Sequence, residues 1–485
     1  MTANLADIVA DIAARRPDAA AIITDRRVTP YVELTRAVTL TAAALTARGV
    51  RPGVPVGQVI GDAPADFVLL LALFRLGAPA LILAAGEPPE LHGELLTRVG
   101  ASECVAAETP DGDCLPAFAR ALAASGMAPS LPPPPDDDAT AYYNRSSGTT
   151  RGRAKLIAIS HAQRCARDSA IGSALGRHPG DRHLHVVTLA NSLGRGAATA
   201  TIQAEGAVVF PPPIASVGDV RSLVDRLGVT TTALSPPHVR DLLRSTHETP
   251  AMPGVRLVVG SAAMTRAERR LVLERVTPQL YVAYGTNETG SIAVAAPADL
   301  AVDIDSVGRA FPGIEAAVVD AALRPLPSGT PGELRFRNPA FPRDYLASVP
   351  GSTSRFRDGW FYPGDAGKID DEGRITLLGR IDDVINVGGR KIHPSAIEEW
   401  LAAHAAVTDA AAIAARAGRM GEVPVVAVVL RTPTDEADLM AFCRARAGGL
   451  PLPARIVAVG SIPRNAGGKV DRMALAALLA PALDR

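Results

Sequence analysis

Small hydroxylated residues, glycines and a lysine lie close together in the segment Tyr143-Asn-Arg-Ser-Ser-Gly-Thr-Thr-Arg-Gly-Arg-Ala-Lys-Leu-Ile-Ala-Ile-Ser-His161. Such a loop can bring backbone N–H groups, hydroxyls and one ammonium group to a polyphosphate, because glycine permits positive φ and a close approach. It is not a Walker A loop, since that spacing would require Gly-Lys where Arg153 and Ala154 stand. Considered alone, the segment is equally compatible with a polar surface loop.

Length and composition limit the classes to which the protein can belong. A chain of 485 residues is long enough for two or more domains with large cores. Its 50 basic and 50 acidic residues leave no net charge that would attract nucleic acid or an anionic membrane. Cys104, Cys114, Cys165 and Cys443 form no Cys-x-x-Cys pair and no metal-ligand spacing. This pattern favours a reduced protein without structural zinc.

The chain shows no pattern typical of secretion or of membrane insertion. Asp7 and Asp11 interrupt the apolar N-terminal stretch, which is therefore not expected to be a secretory signal. The most apolar region, from Phe67 to Gly86, is broken by Arg75 and by Gly77-Ala-Pro, and it predicts a helix, a turn and a buried strand. We therefore expect a cytoplasmic protein with neither membrane nor nucleic acid among its partners.

Helical and strand-like segments alternate along most of the chain, which predicts an α/β fold with a largely parallel sheet. The pattern predicts, for example, a helix over 63–76 before a strand over 80–84. It also predicts a strand from His185 to Leu189 before a helix over 195–205. From about residue 303 the segments become β-rich and punctuated by glycine and proline, which predicts a smaller β-rich subdomain.

Ser160 and Gln163 have the spacing of a helix capping box, in which each side chain bonds to the other residue's backbone N–H. This spacing predicts that His161 lies in the first turn of a helix. A histidine in that position is more often structural than catalytic, so we do not assign His161 to the site.

Four further motifs follow the first loop along the chain. They are Tyr281-Val-Ala-Tyr-Gly-Thr-Asn-Glu-Thr-Gly290, Asp358-Gly-Trp-Phe-Tyr-Pro-Gly-Asp365, Gly379-Arg-Ile-Asp-Asp-Val-Ile-Asn-Val-Gly-Gly-Arg-Lys-Ile392 and Pro463-Arg-Asn-Ala-Gly-Gly-Lys-Val-Asp-Arg472. Each motif alone is weakly specific. The five in this order resemble the adenylate-forming (ANL) superfamily, which includes acyl- and aryl-CoA synthetases, stand-alone adenylation enzymes and luciferases. The resemblance covers essentially the whole chain.

The resemblance implies two domains. Residues 1–380 would form a large N-terminal domain of α/β subdomains with a small β-rich subdomain, which binds ATP and the acid. Residues 381–485 would form a small, mobile C-terminal α+β domain. Asp382 matches the family's hinge position between them, and its Gly/Asp-rich surroundings are a plausible pivot.

The same resemblance implies an ATP site. The first loop would hold the β- and γ-phosphates, Tyr284 would lie against adenine, Gly285 would also belong to the ATP site, and Asp365 would accept hydrogen bonds from the ribose. Arg380 would reach the ribose or the phosphates. The loop residues implied in phosphate binding are Ser146, Ser147, Gly148, Thr149, Thr150 and Lys155.

The resemblance also implies the catalytic groups and the acceptor. Thr286 would lie near the α-phosphate, Glu288 would bind Mg²⁺, and Lys469 would contact the reacting carboxylate and the α-phosphate. Gly388 and Gly389 would line the tunnel for the thiol of CoA or phosphopantetheine. A carrier protein would have to act in trans, because no carrier sequence follows Arg472 within the chain.

The residue types agree with this chemistry. A carboxylate with a pKa of about 4 is ionised at neutral pH and attacks phosphorus without a general base. The reaction needs cancellation of the negative charge between two anions, together with in-line positioning, rather than a Ser-His-Asp set. Taken singly, Lys469 could be a solvated lysine, Glu288 a helix cap, and Asp365 a turn residue.

Position in the family pattern predicts the acid pocket, namely Asn191, Ser192, Leu193, Arg195, Ser261, Ala262 and Ala283. Asn191 and Arg195 favour a small aryl or polar acid over a long fatty acid, because buried polar groups need partners. A solvent-facing Arg195 at a helix start is an equally good interpretation.

We therefore predict an ATP- and Mg²⁺-dependent ligase that converts a small carboxylic acid to its acyl-AMP and transfers the acyl group to a thiol. An alternative enzyme would adenylate another oxyacid or use an amine acceptor. A third hypothesis is a non-catalytic nucleotide-binding relative. Its only support is Arg151, which looks inserted in the phosphate loop; the retained Glu288, Asp365 and Lys469 argue against it.

Overall fold

Two sheets with parallel strands and flanking helices make up the first three quarters of the protein in the computed structural model. The structure describes residues 2–101, 103–108, 113–125, 130–146, 155–212, 219–245, 250–346, 354–416, 422–464 and 469–483.

The helices lie mostly between strands, as the sequence predicted. They are α1 Leu5–Arg15, α2 Tyr31–Ala47, α3 Pro64–Leu76, α4 Pro89–Val99, α5 Arg120–Ser125, α6 His161–Ala174, α7 Ser192–Gln203, α8 Val220–Leu227, α9 Pro236–Ser245, α10 Arg266–Arg275, α11 Pro297–Val302, α12 Pro394–Ala402, α13 Glu436–Arg446 and α14 Arg472–Leu483. None of the helices in the described ranges combines the length and the apolar character that crossing a bilayer requires.

The strands range in length from two to ten residues. They are β1 Ala20–Ile23, β2 Val28–Pro30, β3 Val56–Ile60, β4 Ala80–Ala84, β5 Glu103–Ala106, β6 Thr140–Arg145, β7 Leu156–Ser160, β8 Arg182–Leu184, β9 Ala207–Val209, β10 Thr231–Leu234, β11 Arg256–Val259, β12 Leu280–Thr286, β13 Gly290–Ala295, β14 Ser306–Ala310, β15 Glu315–Val319, β16 Gly332–Arg337, β17 Phe356–Arg357, β18 Trp360–Phe361, β19 Asp365–Ile369, β20 Arg374–Arg380, β21 Ile385–Val387, β22 Arg390–Ile392, β23 Val407–Arg416, β24 Glu422–Leu430 and β25 Arg455–Ala458.

The smaller sheet has the strand order β5-β3-β4-β6-β7, and only the β6–β7 pair is antiparallel. Its neighbour α3 is buried on almost every side, which explains why its sequence is apolar all round rather than amphipathic. Asp66 caps α3 by accepting hydrogen bonds from the backbone N–H groups of Gly61 and Ala63 at 3.1 and 2.9 Å. Gly77, with φ of 66°, ends the helix in the left-handed conformation that glycine adopts at low cost.

The larger sheet changes character between β12 and β13. On one side, β12, β11, β10, β8, β9 and β1 run parallel, and on the other, β13, β14, β20, β19 and β16 pair antiparallel. The strands predicted as a small β-rich subdomain therefore continue the same sheet. The hairpin between β12 and β13 lies at the transition, and it carries the second motif.

The prediction of a strand from His185 to Leu189 is wrong, since the strand is β8, which ends at Leu184. The apolar run continues because the following segment turns beneath the start of α7, where Val187 and Leu189 are buried. Gly194 permits this contact, because a Cβ there would lie 2.0 Å from the carbonyl oxygen of Val187. The segment is apolar for packing against a helix rather than for pairing in a sheet.

Residues after β20 build their own apolar interior. Two buried clusters consist entirely of residues between Ile385 and Leu479, on the sheet β23-β24-β25 with α12, α13 and α14. Asp382 is exposed in a short 3₁₀ turn, Ile381–Asp383, directly after β20. A contact to the preceding part runs from the backbone N–H of Arg266 in α10 to Glu399 Oε1 at 2.9 Å. The boundary at 380/381 stays a prediction.

The predicted capping box is present at the start of α6, with Gln163 N donating to Ser160 Oγ at 3.2 Å. His161 is fully buried, and its ring meets the edge of Phe74 at a centroid distance of 5.4 Å. Neither ring nitrogen has a hydrogen-bond partner among the described residues. Burial, together with the nearby Arg164, lowers the pKa of His161 from 6.5 to about 4. This histidine is a neutral core residue.

A neutral buried histidine makes stability depend on pH. His161 binds a proton near pH 6.5 in the unfolded chain but only near pH 4 in the folded chain. Its contribution to the free energy of unfolding is therefore complete above pH 6.5 and is lost as the pH falls through 4. We expect His161→Leu to reduce the loss of unfolding free energy between pH 7 and pH 5 by about 2 kcal/mol. Urea titrations at both pH values measure this, with the exposed His178→Gln as control. An unchanged loss in His161→Leu would contradict the assignment.

Candidate active site

The candidate site lies where the two sheets meet, around the hairpin between β12 and β13. Gly285 makes this hairpin possible, because a Cβ there would lie 2.2 Å from the carbonyl oxygen of Gly290. The hydroxyl groups of Thr286 and Thr289 are 3.1 Å apart, and the backbone N–H of Thr289 donates to Thr286 Oγ1 at 3.3 Å. These bonds fix the turn that presents Glu288.

Two asparagines join the hairpin to the smaller sheet. Asn144, near the end of β6, donates from Nδ2 to the carbonyl oxygen of Asn287 at 2.9 Å. Asn287 donates in return to the carbonyl oxygen of Arg145 at 2.5 Å. This reciprocal pair, the Asn144–Asn287 link, holds the start of the phosphate loop beside Glu288.

Glu288 is buried, with 5% of its surface exposed, and its Oε1 accepts a hydrogen bond from the Tyr345 hydroxyl at 2.9 Å. Burial and the Glu288 carboxylate raise the pKa of Tyr345 well above its usual value. Lys155 Nζ lies 4.8 Å from the centre of the Tyr345 ring, within the range of a cation–π contact. Tyr345 therefore connects the lysine of the first motif with the glutamate of the second.

The base of the phosphate loop is closed. The backbone N–H of Ser146 donates to the Lys155 carbonyl oxygen at 2.8 Å, and Lys155 N donates to Ser146 Oγ at 3.2 Å. Desolvation and then the nearby Arg355 lower the pKa of Lys155, while Glu288 raises it. The other predicted loop residues, Ser147, Gly148, Thr149 and Thr150, and the inserted Arg151, lie outside the described residues.

The second and third motifs meet through Tyr284 and Asp365. The Tyr284 hydroxyl donates to Asp365 Oδ2 at 2.8 Å, and Arg380 Nη1 lies 2.7 Å from Asp365 Oδ1. The pairing of β19 with β20 places Asp365 opposite Arg380. Burial and the Asp365 carboxylate raise the pKa of Tyr284 well above its usual value. The contact of Tyr284 with adenine and that of Asp365 with ribose stay predictions.

Lys469 comes to the same place from the last motif. Surrounding protein lowers the pKa of its ammonium group, while the Asp365 and Glu288 carboxylates raise it and Arg380 and Arg355 lower it. The residue is nevertheless exposed to solvent. The structure therefore brings together Lys469, Glu288 and Asp365, which lie far apart in the sequence.

The remaining predicted residues of the last hundred positions lie elsewhere. Gly388 and Gly389, with φ of 57° and 91°, form the tight turn between β21 and β22. Asp383, next to the predicted hinge residue Asp382, pairs with Arg472 Nε at 2.9 Å. The roles of the two glycines in a thiol tunnel and of Asp382 as a hinge stay predictions.

A small cavity of about 80 Å³ lies between α6, α7 and the strands β10 to β13. Four of the residues predicted for the acid pocket line it, namely Ser192, Leu193, Arg195 and Ala283. Thr286 also lines it, so the cavity reaches the predicted position of the reacting groups.

Three predicted pocket residues do not line this cavity, namely Asn191, Ser261 and Ala262. Asn191 caps α7 instead, since its side-chain oxygen accepts a hydrogen bond from Leu193 N at 2.8 Å. Ser261 follows β11, is exposed, and has φ of 71°, while Ala262 beside it is half-buried. The polarity of Asn191 thus serves helix capping, which its position before an apolar helix could have indicated.

Arg195 is buried rather than solvent-facing, with 3% of its surface exposed. It donates to the carbonyl oxygens of Leu189 and Ala190 and to Asn144 Oδ1, at 2.9, 3.3 and 2.5 Å. Its guanidinium carbon also lies 4.9 Å from the centre of the Tyr142 ring. The question left open by the sequence is settled in favour of the interior.

Sequence reasoning missed Tyr345, Arg355 and Asn144. Tyr345 and Arg355 flank a Gly- and Ser-containing stretch without a recognisable motif, so no signal marked them. Asn144 did carry a signal, because it follows Ala141, Tyr142 and Tyr143 in a strand, and a polar residue buried there needs a partner.

The residues present fit a magnesium ion held together with a nucleotide. Proteins usually bind Mg²⁺ through one or two carboxylates, with water and substrate phosphates completing the octahedron. Glu288 supplies one such carboxylate beside the closed base of the phosphate loop.

Comparison with known proteins gives two family matches, which together extend over most of the chain. A family profile described as AMP-binding enzyme matches residues 9–346, and one described as AMP-binding enzyme C-terminal domain matches residues 396–469. A 2-succinylbenzoate–CoA ligase from Geobacillus kaustophilus is 28% identical over 480 residues, which cover 96% of each chain. A fatty acid–[acyl-carrier-protein] ligase, ScoC, from Streptomyces coeruleorubidus is 31% identical over 269 residues, 52% of this chain and 50% of that protein.

The fold is also similar to that of a solved structure. The crystal structure of ATP-bound MatB from Rhodopseudomonas palustris has a TM-score of 0.85 and 25% identity, and 99% of each chain is covered. The similarity confirms the predicted fold class, with a large N-terminal part and a smaller C-terminal part.

The Tyr345–Glu288 hydrogen bond can be measured in the free enzyme. Because a hydrogen bond to a charged group contributes about 1.5–3 kcal/mol, we expect Tyr345→Phe and Glu288→Ala, which removes the acceptor, to be coupled by about 1–2 kcal/mol in the free energy of unfolding. Urea unfolding of the wild type, both single variants and the double variant gives this coupling energy. Tyr345→Phe keeps the ring beneath Lys155, so a coupling near zero would show that the bond does not form.

Proposed function

Since this protein belongs to the AMP-binding enzyme family and is an ATP-using, AMP-forming acid–thiol ligase, we propose that it adenylates a small aryl or polar carboxylic acid and passes the acyl group to the thiol of CoA or of a carrier protein. The observation that carries this proposal is that the Asp365 and Glu288 carboxylates both raise the pKa of the Lys469 ammonium group, while Thr286, two residues before Glu288, lines a small cavity.

In the first step, the ionised carboxylate of the acid attacks the α-phosphorus of ATP. One P–O bond forms, the bond to the β-phosphate breaks, and pyrophosphate leaves. Two anions must approach each other, so a cation at the reacting oxygens lowers the barrier. Lys469 would supply this cation, because it lies within electrostatic reach of both Asp365 and Glu288. Thr286, on the wall of the cavity, would position the carboxylate next to the α-phosphate.

The other groups would bind and orient the nucleotide. Tyr284 and Gly285 would face adenine, Asp365 and Arg380 the ribose, and the loop between Ser146 and Lys155 the terminal phosphates. Glu288 would hold Mg²⁺, which when bound neutralises charge on the triphosphate. Tyr345 would keep the Glu288 carboxylate oriented for this role.

In the second step, a thiolate attacks the acyl carbon, the thioester bond forms, and AMP leaves with the electrons of the broken C–O bond. Gly388 and Gly389, on the exposed hairpin of β21 and β22, would have to approach the cleft for this step. A rotation of the C-terminal part about Asp382 would bring them there, as Lys469 leaves.

The size and the lining of the cavity support a small acid. Its volume of about 80 Å³ suits a compact acid better than a long alkyl chain, and its lining combines apolar side chains such as Leu193 and Ala283 with the polar Ser192 and Arg195. The ligase from Geobacillus kaustophilus is named for an aryl acid and for CoA, and ScoC is named for a carrier protein. Both acceptors are thiols.

ATP–pyrophosphate exchange over a panel of aryl, aliphatic, amino and inorganic oxyacids tests this proposal. We expect exchange with at least one small carboxylic acid, and a loss of about 100-fold or more in Lys469→Ala, because one cation at the reacting oxygens is removed. Binding of ATP, measured by calorimetry, should change little in that variant. Silence across all carboxylates, or a signal only from an inorganic oxyacid, would overturn the proposal.

The hinge at Asp382 has its own test. Asp382→Pro restricts backbone rotation at this position, so we expect ATP–pyrophosphate exchange to persist while thioester formation slows by about 10-fold or more. Both rates are measured with the acid identified by the panel and with CoA. Asp371→Pro, in the turn between β19 and β20, serves as control. Equal loss of both half-reactions in Asp382→Pro would show that Asp382 is not the hinge.

A further inference from the structure

Arg355 reaches the candidate site from outside the five motifs. Its Nη1 donates to the carbonyl oxygen of Pro363, which also accepts from Arg380 Nη1 at 2.7 Å. A Cβ on Gly364 would lie 2.9 Å from Arg380 Nη2 and 3.5 Å from Arg355 Nη1, so the two guanidinium groups lie side by side at this glycine. The next residue is Asp365, whose carboxylate pairs with Arg380. Arg355 therefore borders the end of the cleft where the ribose is expected.

Arg355 is also close to the lysine of the first motif. The residue that follows it, Phe356, packs against the Tyr345 ring at a centroid distance of 5.6 Å, and Lys155 Nζ lies 4.8 Å from the centre of the same ring. Burial and then Arg355 lower the pKa of the Lys155 ammonium group. Arg355 thus lies between Arg380 and Lys155, which belong to opposite ends of the predicted nucleotide site.

Three cations face the same part of the cleft. Surrounding protein lowers the pKa of Lys469, and Arg380 and Arg355 lower it further. Like charges held close together repel, since each disfavours the charged form of the others. The fold nevertheless keeps Lys155, Arg355 and Lys469 together, and an anion between them would replace this repulsion by attraction.

The two carboxylates of the cleft already have partners. Asp365 pairs with Arg380 at 2.7 Å, and Glu288 accepts a hydrogen bond from Tyr345 at 2.9 Å. The Glu288 carboxylate would also be shared with Mg²⁺. A bound anion could therefore pair with Arg355 without displacing either contact.

The guanidinium group of Arg355 is available for such an anion. Among the described residues its side chain donates to the Pro363 carbonyl oxygen alone, which leaves most of its N–H groups for a ligand. Arg355 also acts on the Glu333 carboxyl, but the exposed Arg357 acts on it more strongly. A half-buried arginine of this kind suits a phosphate, which it can bind through two parallel hydrogen bonds.

On the basis of the proposed function, we propose that Arg355 binds the part of ATP that leaves as pyrophosphate and stabilises the charge that develops there during adenylation. In that step the bond between the α-phosphorus and the bridging oxygen breaks, and its electron pair stays on the pyrophosphate. Arg355 would donate hydrogen bonds to these oxygens without transferring a proton, because a guanidinium group stays protonated. Its place between Arg380 and Lys155 puts it beside the phosphates that follow the α-phosphate.

Calorimetric binding of ATP and of AMP, both with Mg²⁺ and without an acid, tests this assignment. AMP lacks the leaving phosphates, so we expect Arg355→Gln to raise Kd for ATP by about 10-fold or more and to leave Kd for AMP within about 2-fold. Arg355→Lys should lose less ATP affinity, because the charge remains.

Arg357→Gln is the matched control. Arg357 lies two residues further along the same segment and is exposed, and its guanidinium carbon is 4.7 Å from the centre of the Tyr362 ring. This variant should bind ATP and AMP as the wild type does. Arg355→Gln should itself stay folded, because Arg380 still donates to the Pro363 carbonyl oxygen, and urea unfolding checks this.

ATP–pyrophosphate exchange adds a kinetic measurement with the acid that the panel identifies. Arg355→Gln should raise KM for pyrophosphate by about 10-fold or more and lower kcat/KM for ATP by about 100-fold. Thioester formation from preformed acyl-AMP should stay near the wild-type rate, because that substrate carries no pyrophosphate.

Two results would overturn the inference. Equal losses of ATP and AMP binding in Arg355→Gln would indicate a structural role, and unchanged ATP binding with unchanged KM for pyrophosphate would show that Arg355 does not contact these phosphates. Both results would leave the proposed function intact. A wild type that binds ATP but exchanges with no acid would refute the proposed function, while ATP and AMP binding would still decide the role of Arg355.

Discussion

The Asn144–Asn287 link is the contact on which the arrangement of the site depends. Two asparagine side chains that each reach the other strand's backbone hold the end of β6 against the hairpin of β12 and β13. The same Asn144 oxygen accepts from Arg195 at 2.5 Å and from Ser192 at 3.4 Å. One carboxamide therefore sets the distance between the phosphate loop, the Glu288 turn and the wall of the cavity.

Charge is the second constraint on the cleft. The carboxylates of Glu288 and Asp365 lie within electrostatic reach of four cations, namely Lys155, Arg355, Arg380 and Lys469. These six residues are separated in the sequence, and only the fold brings them together. In a partly desolvated cleft such groups interact more strongly than in water, which makes a bound triphosphate a natural component of the charge balance. Lys469 adds its charge only because the C-terminal part lies against the cleft in this arrangement.

The sequence predicted the fold class and most elements correctly, because α3, β4, β11 and β16 have strong apolar patterns and clear glycine or proline ends. It failed for His185 to Leu189, where burial under a helix imitates the pattern of a strand. In the site, motifs identified Tyr284, Glu288, Asp365 and Lys469. They could not identify Tyr345, since a hydrogen bond across the fold leaves no local pattern. The polarity of Arg195 and Asn191 did not by itself tell whether each side chain is buried, solvent-facing or a helix cap. That depends on the neighbouring groups, which the sequence does not show.

The close contact at Gly194 limits how the protein can change its substrate. Because α7 already touches the carbonyl oxygens beneath it, with room only for a hydrogen atom at this position, the helix cannot move toward them. The cavity therefore has a rigid frame on this side. During divergence or engineering, a larger or differently charged acid would have to be accommodated by exchanging side chains on α6 and α7, so that specificity is rewritten residue by residue while the backbone stays in place.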